Sequence, residues 1–197
     1  MAAAKSTKRT EIRLAGEGGQ GMILAGIILA EAAAIYDGKN VVQTQSYGPE
    51  ARGGASKSEV IIAEGEIDFP EVISADVQMV MSQEACDKYA GTLKKGGLLI
   101  VDQDKVGRVP TTRAVKAPIT RLAVEATGKA ITANVVALGL LVGLTEVVSR
   151  DAIAKAVTAR APKGTEELNL TALAAGFAAA ERLLIEKSLP AESLKAV

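Results

Sequence analysis

Two glycine-rich segments hold the residues best suited to chemistry in this chain. The first, LAGEGGQGMI, spans residues 14–23 and places Gly16, Gly18 and Gly21 in the spacing G-x-G-x-x-G. When such a loop follows a strand and opens a helix, the helix N-terminus offers unpaired N–H groups and partial positive charge to an anion. The segment therefore indicates dinucleotide binding, another use of the same turn for an anion or an interface, or a turn that serves packing alone.

The residues around this loop disfavour the dinucleotide interpretation. NAD binding also needs an Asp or Glu about 20 residues further on, at the end of the second strand, to hold the ribose hydroxyls. Here that strand, VVQTQS, ends in Gln45 and Ser46, and Glu17 within the loop would oppose a pyrophosphate. No Gly-Lys-Ser/Thr follows, so the loop is not a Walker A phosphate site either.

The second segment, QSYGPEARGGASKSEV, spans residues 45–60 and begins where a strand ends. Ligands of open α/β sheets bind beyond the carboxyl ends of strands. One interpretation is a solvated turn in which Glu50 and Arg52 pair or are hydrated. In the other interpretation, Arg52 binds an anion, Tyr47 lines the site and offers a hydrogen bond, and the glycines let a partner approach closely.

The N-terminal half alternates strand and helix patterns, which is typical of a doubly wound sheet. The predicted strands are 11–15, 41–46, 56–65, 77–81 and 98–102, and the predicted helices are 22–36, 69–74 and 83–97. The first strand, the first helix and the second strand form a predicted βαβ unit with a right-handed crossover.

The C-terminal half is predicted to be helical, with segments at 118–128, 132–148, 149–162 and 168–187. Asn134 and Ser149 are candidate N-caps. Gly139 and Gly143 lie four residues apart on one helical face, where another helix can pack closely. The chain is thus predicted to be a single doubly wound α/β domain, with a mostly parallel sheet, helices on both faces and a helical C-terminal portion. It covers residues 11–187, between a flexible lead-in (1–10) and a tail (188–197).

Composition excludes several classes of function. Lys+Arg and Asp+Glu both number 23, so the chain has no excess of positive charge to favour binding to nucleic acid. With one cysteine, Cys86, and no histidine, the chain cannot form a CxxC redox pair, a cysteine-ligated iron–sulfur cluster, a histidine-containing zinc site or a histidine-dependent triad. We assign Cys86 to packing. Asp102, at a strand end, either orients a ligand or turns the chain, and turning is the commoner case.

Neither membrane insertion nor export is predicted. The longest apolar run, 135–144, is about half of the ~20 residues that span a bilayer, so we interpret it as a buried helix. The N-terminal segment MAAAKSTKRTE lacks the apolar core of a signal peptide, which favours a cytoplasmic location.

Three segments together resemble a known family. GEGGQGMILAG, QSYGPEARGGASKSEV and, at 163–177, KGTEELNLTALAAGF are similar to the gamma subunit of 2-oxoacid:ferredoxin (acceptor) oxidoreductases, in particular those acting on 2-oxoglutarate. The resemblance spans residues 11–186.

The resemblance implies one subunit of a cytoplasmic enzyme complex. Such an enzyme converts 2-oxoglutarate, CoA and oxidised acceptor to succinyl-CoA, CO2 and reduced acceptor, with ferredoxin as the acceptor. Thiamine diphosphate, magnesium and iron–sulfur clusters are expected on partner subunits, and CoA is a co-substrate. No catalytic residue and no metal ligand are assigned to this chain, which has neither a cluster-binding cysteine set nor the GDG...N pattern of thiamine-binding subunits.

The resemblance also implies that the two loops face the catalytic subunits, with Arg52 nearest the anionic substrate or CoA. The predicted ligand or interface residues are Gly16, Gly18, Gly19, Gln20, Gly21, Tyr47, Gly48, Pro49, Glu50, Arg52, Gly53 and Gly54. The competing functions are a stand-alone NAD-type domain, a pure scaffold, and a gamma subunit for pyruvate, branched-chain, aryl or indolepyruvate oxoacids.

Overall fold

The computed structural model describes residues 9–47, 54–110 and 114–186. The strands are β1 (Arg9–Glu17), β2 (Asn40–Ser46), β3 (Ala55–Ala63), β4 (Ala75–Val80), β5 (Leu93–Asp102) and β6 (Val115–Ala117). The helices are α1 (Met22–Glu31), α2 (Gln83–Tyr89), α3 (Ile119–Thr127), α4 (Ala133–Thr145), α5 (Arg150–Arg160) and α6 (Glu166–Glu186). A π-helical turn extends α1 over Ala32–Tyr36, and 3-10 turns cover Ala90–Thr92 and Ala130–Thr132.

The strands form one sheet in the order β2-β3-β1-β4-β5-β6. Only β3 runs antiparallel to its neighbours, and the β1–β4, β4–β5 and β5–β6 pairs are parallel. Because side chains alternate across a strand, Ile12 and Leu14 pack towards α1, α4, α5 and α6, whereas Ala15 packs with α2 on the opposite face. The predicted α/β fold with a mostly parallel sheet and helices on both faces is confirmed.

The predicted βαβ unit differs from the observed arrangement in its pairing. β1 and β2 run in the same direction, but β3 lies between them and pairs with both. The segment of eight residues from Tyr47 to Gly54 is too short for a parallel crossover, which needs a dozen or more, so β3 returns antiparallel to β2. At Gly26, where a Cβ atom would clash with the Ser58 side chain, α1 lies directly against β3.

Two helix predictions in the middle of the chain differ from the structure: the first is wrong, and the second is correct at its start but too long. Residues 69–74 are irregular. Phe69 precedes Pro70, which disfavours helical geometry at Phe69, and the carbonyl of Val72 accepts a bond from the buried Arg13. The helix predicted over 83–97 ends at Tyr89, and β5 already begins at Leu93 with a register irregularity against β4. The strand β6, only three residues long, was not predicted.

The four predicted C-terminal helices are confirmed. Ser149 caps α5 as expected, since its Oγ accepts the N–H of Ala152 at 3.1 Å. The predicted cap at Asn134 is wrong: α4 begins after Thr132, and Asn134 lies inside its first turn. Every residue of α4 is buried, as predicted for the apolar run 135–144.

Helix α6 crosses α4 closely at Gly139, Gly143 and Gly176. Of the helices in the described part of the chain, α6 alone has the length and apolar composition to cross a bilayer, a test that core helices also pass. Its Ala172, Leu173 and Ala180 belong to the same hydrophobic core as α4.

Candidate functional site

The two glycine-rich loops meet at one edge of the sheet. β1 and β2 both end there, and β3 starts there, with Glu17 paired to Ala55. The N–H of Gly18 donates to the carbonyl of Gly54 at 3.3 Å, which joins the first loop to the end of the second. Tyr47, the last described residue after β2, is 69% exposed. The structure thus brings the described parts of both motifs together at the carboxyl edge where α/β sheets bind ligands.

Part of the predicted site cannot be placed. Gly48, Pro49, Glu50, Arg52 and Gly53 lie outside the described residues. Their assignment to the ligand or interface remains a prediction from sequence.

Gln20 holds the first loop from within. Its Oε1 accepts the N–H of Glu17 at 2.7 Å, and its Nε2 donates to the carbonyl of Met81, the residue after β4, at 2.9 Å. A Cβ atom on Gly16 would lie only 2.5 Å from that Oε1. Gln20 therefore occupies the space above Gly16, between the ends of β1 and β4. There the chain leaves β1 for α1 on one face of the sheet and leaves β4 for α2 on the other face.

Gly19 and Gly21 supply backbone conformations that other residues rarely adopt. Their φ angles are +96° and +73°. Gly21 is the N-cap of α1, and no side chain caps the helix there. A Cβ atom on Gly21 would lie 2.7 Å from Nδ2 of Asn134, whose amide donates a long bond of 3.4 Å to the Gly21 carbonyl. The first turn of α4 thus packs directly on the glycine loop.

Asp102 turns the chain rather than facing a ligand. The side chain is fully buried. Its Oδ1 accepts the N–H of Asp104 at 3.1 Å, and its Oδ2 accepts the N–H of Thr120 at 3.0 Å and the Thr120 hydroxyl. These bonds tie the end of β5 to the start of α3, as the commoner interpretation predicts.

Cys86 lies on the buried side of α2 and packs in the core. It is 1% exposed, and its Sγ lies 3.7 Å from the Arg108 carbonyl. Burial, followed by the neighbouring Asp87 carboxylate, raises the pKa of the thiol above its ordinary 9.0. The packing role is confirmed, and within the described residues no group of three or more His, Cys, Asp or Glu residues could hold a metal ion.

Two cavities flank the glycine loop, a feature that sequence reasoning missed. One, of about 330 Å³, lies between α1, α4, α5 and α6, and the other, of about 390 Å³, lies between the glycine loop, Met81 and the start of α3. Gly19 and Ile131 line both. Ile131 is 78% exposed. It lies in the short sequence GKAIT, where one large apolar residue gives no signal of a site.

Comparison with known proteins gives one family. The family described as pyruvate ferredoxin/flavodoxin oxidoreductase matches residues 11–179. The chain is 52% identical to 2-oxoglutarate synthase subunit KorC of Methanocaldococcus jannaschii, over 89% of this chain and 96% of that protein. It is 34% identical to ketoisovalerate oxidoreductase subunit VorA of Methanothermobacter marburgensis, over 74% of this chain but only 32% of that protein.

Solved structures agree with the fold. The gamma subunit of the keto/oxoacid ferredoxin oxidoreductase from Geobacter sulfurreducens is 51% identical, with a TM-score of 0.81 over 89% of this chain and 98% of that one. The 2-oxoglutarate:ferredoxin oxidoreductase from Magnetococcus marinus shares the fold at 24% identity, with a TM-score of 0.79 over 89% of this chain and 31% of that one.

Proposed function

The chain belongs to the pyruvate ferredoxin/flavodoxin oxidoreductase family, and from this premise we propose that it is the gamma subunit of a cytoplasmic 2-oxoglutarate:ferredoxin oxidoreductase. The observation that carries the proposal is the 52% identity to 2-oxoglutarate synthase subunit KorC over nearly the whole of both chains. Identity to the ketoisovalerate relative is 34%, which favours 2-oxoglutarate over branched-chain oxoacids. Residues 11–187 form the functional unit, and residues 1–10 and 188–197 flank it.

The complex converts 2-oxoglutarate and CoA, with oxidised ferredoxin, to succinyl-CoA, CO2 and reduced ferredoxin. Thiamine diphosphate, magnesium and the iron–sulfur clusters belong to partner subunits. Cys86, the single cysteine of this chain, is buried against the Arg108 carbonyl and does not fit a cluster ligand. The chain contributes surface and positioning to the complex and is not catalytic alone.

The loop edge is the surface that contacts the catalytic subunits. Gly18 to Gly21 and Tyr47 to Gly54 face them, and Arg52 lies nearest the anionic substrate or CoA. Two observations support this orientation: the hydrogen bond from Gly18 to Gly54 joins the loops, and Tyr47 is exposed beside them. The large exposed area of a tyrosine ring is of the kind enriched in protein interfaces.

Purification and cofactor titration test the assignment. We expect the chain to co-purify with a thiamine-binding subunit and a cluster-binding subunit, and the isolated chain not to bind NAD(H). Gln20 above Gly16 and the lack of a carboxylate at the end of β2 are the reasons to expect no NAD(H) binding. Tight NAD(H) binding without co-purifying subunits would favour the stand-alone nucleotide-binding domain instead.

Substitution of Arg52 tests the role of the second loop. A charge-assisted hydrogen bond contributes about 1.5–3 kcal/mol, so Arg52→Ala in the assembled complex should raise the KM for 2-oxoglutarate or CoA about 10- to 100-fold. Arg182→Ala, on the exposed side of α6, is the matched control and should leave both KM values unchanged.

Unchanged kinetics in Arg52→Ala would remove Arg52 from the ligand site. A loss of assembly without any change in the turnover of the complexes that form would favour the pure scaffold.

A further inference from the structure

The two cavities adjoin each other, since Gly19 and Ile131 line both, and we call them together the basic groove. We propose that the basic groove docks a partner-subunit segment that carries an apolar side chain flanked by carboxylates. This inference rests on the proposed function and extends the interface from the glycine loops to the 130–132 turn and the corner between α5 and α6.

The apolar part of the groove is exposed in a way that suits a protein partner. Ile131 projects between the two cavities with 78% of its surface exposed, and Leu24 on α1 is 43% exposed. The walls of a small-molecule pocket are concave and largely buried, whereas Ile131 protrudes and needs a covering surface to leave water. An apolar side chain of a partner, placed beside Ile131, removes both groups from water.

The charged residues of the groove all have the same sign. Lys105, Lys129 and Arg160 line it, and no Asp or Glu is found among its described lining residues. Arg160 already binds Glu31 at 2.5 Å, while Lys105 and Lys129 have no ion-pair partner within the described part of the chain. This local excess of positive charge is complementary to carboxylates on a partner.

The groove is continuous with the loop edge. Gly19 lines both cavities, and Asn134, which contacts Gly21, lines the cavity of about 330 Å³. Ile131 therefore borders the same cavities as Gly19 of the glycine loop, next to where a subunit seated on that loop would lie.

A relative much longer than this chain indicates which partner subunit occupies the basic groove. The chain matches only 32% of the ketoisovalerate subunit VorA, so a related unit is joined there to about twice its own length of further polypeptide. In the present protein, the subunit corresponding to that remainder is the expected occupant.

Reconstitution with the other subunits of the complex tests the inference. Wild-type chain and variants are immobilised, and the Kd for the remaining subunits is measured at several salt concentrations. Because truncating a buried apolar anchor weakens binding strongly, we expect Ile131→Ser to raise Kd about 10-fold and Ile131→Asp about 100-fold. The matched control is Ile73→Ser, since Ile73 is 72% exposed and precedes β4 at the opposite edge of the sheet.

The charges are tested separately. We expect Lys105→Glu/Lys129→Glu to raise Kd about 10-fold and to flatten its salt dependence. Thermal melting of each isolated variant verifies that it folds.

The outcomes separate the two proposals. If wild-type chain does not bind the other subunits, the proposed function itself fails. If wild-type chain binds and the Ile131 variants bind as tightly as Ile73→Ser, the docking inference is overturned while the function stands. If those variants bind normally but raise the KM of a small substrate, the groove is a small-molecule site and the docking inference is again overturned.

Discussion

At the scale of single residues, two side chains outside the glycine pattern decide how the turn is used. Gln20 bridges Glu17 and Met81 across the loop, and Asn134 packs on Gly21 from a helix more than a hundred positions later in the chain. Both occupy space next to glycines that, in a dinucleotide fold, would approach a pyrophosphate. Gly16 and Gly21 therefore permit close packing of Gln20 and Asn134 in this chain.

Gly21 should tolerate no side chain. Gly21→Ala combines a left-handed backbone with a Cβ atom 2.7 Å from Asn134 Nδ2, so we expect a loss of about 2–3 kcal/mol in the free energy of unfolding, measured by urea denaturation. Gly107→Ala is the control, since nothing lies within 4 Å of its added Cβ atom. Adding Asn134→Ala should recover only the part due to the clash. Equal stability of the Gly21→Ala and Gly107→Ala variants would contradict the strain argument.

Cys86 should make stability fall at alkaline pH. The folded state holds the thiol proton above the ordinary pKa of 9.0, whereas the unfolded chain releases it there. The unfolded state then binds fewer protons, so the free energy of unfolding decreases as pH rises through 9.0 towards the folded pKa.

Comparison with Cys86→Ala isolates this contribution. Between pH 8 and 10.5, the free energy of unfolding should decrease more steeply for the wild type than for the variant. The other titrating groups are common to both proteins, so the difference comes from Cys86. Parallel pH profiles would show that Cys86 ionises equally in both states.

At the scale of elements, the molecule depends on the crossing of α4 and α6. All of α4 is buried, and its Gly139 faces Gly176 of α6 with backbone contacts on both sides. A Cβ atom on Gly139 would clash with the carbonyl of Leu173, and one on Gly176 with the carbonyl of Val136. The glycines predicted to permit close approach are thus used for internal packing, not for a partner.

Gly139→Ala should separate these helices. The added Cβ atom would meet backbone atoms, which cannot move aside as a flexible side chain can. We therefore expect overpacking to lower the free energy of unfolding by about 1–3 kcal/mol or more, which outweighs the gain in helix propensity from replacing glycine. Denaturant unfolding measures the change. Ala174→Ser, at an exposed position of α6, is the control and should change stability by less than about 0.5 kcal/mol. A stabilised Gly139→Ala variant would mean that propensity outweighs packing here.

At the scale of the whole molecule, one buried cation joins distant parts of the chain. Arg13 of β1 is 3% exposed; its Nε donates to Glu59 of β3 at 2.7 Å and its Nη2 to the Val72 carbonyl at 2.8 Å. It also bonds Thr92 and lies 5.9 Å from the ring centre of Tyr89. The loop before β4 and the turn before β5 are thereby held on the sheet face opposite α1.

Removing only one member of the Arg13–Glu59 ion pair should destabilise the fold. Arg13→Met leaves Glu59 buried with Lys57, at 2.9 Å, as its remaining ion-pair partner among the described residues, and we expect a loss of about 3–5 kcal/mol in the free energy of unfolding. The double variant Arg13→Met/Glu59→Met should lose less than the sum of the two single variants, because neither charge is then left buried alone. Additive losses in this double-mutant cycle would show that the two residues act independently.

The sequence predicted the features that depend on local pattern. The strand at the start, the glycine loop opening α1, the four C-terminal helices and the cap at Ser149 follow from residue periodicity and short-range hydrogen bonding. The family resemblance, carried by the two glycine-rich motifs and the 163–177 segment, is confirmed by the match over residues 11–179. The role of Arg52 and its neighbours in the second loop stays a prediction.

Only the tertiary structure decided which distant residues meet. The position of β3 between β1 and β2, the bond from Gln20 to Met81 and the contact of Asn134 with Gly21 join residues far apart along the chain. Local periodicity carries no information about such pairings, because they depend on which strands share an edge and which helices pack across it. The same reason explains Ile131: one large apolar residue in a short turn gains significance only when folding places it between two cavities beside the glycine loop.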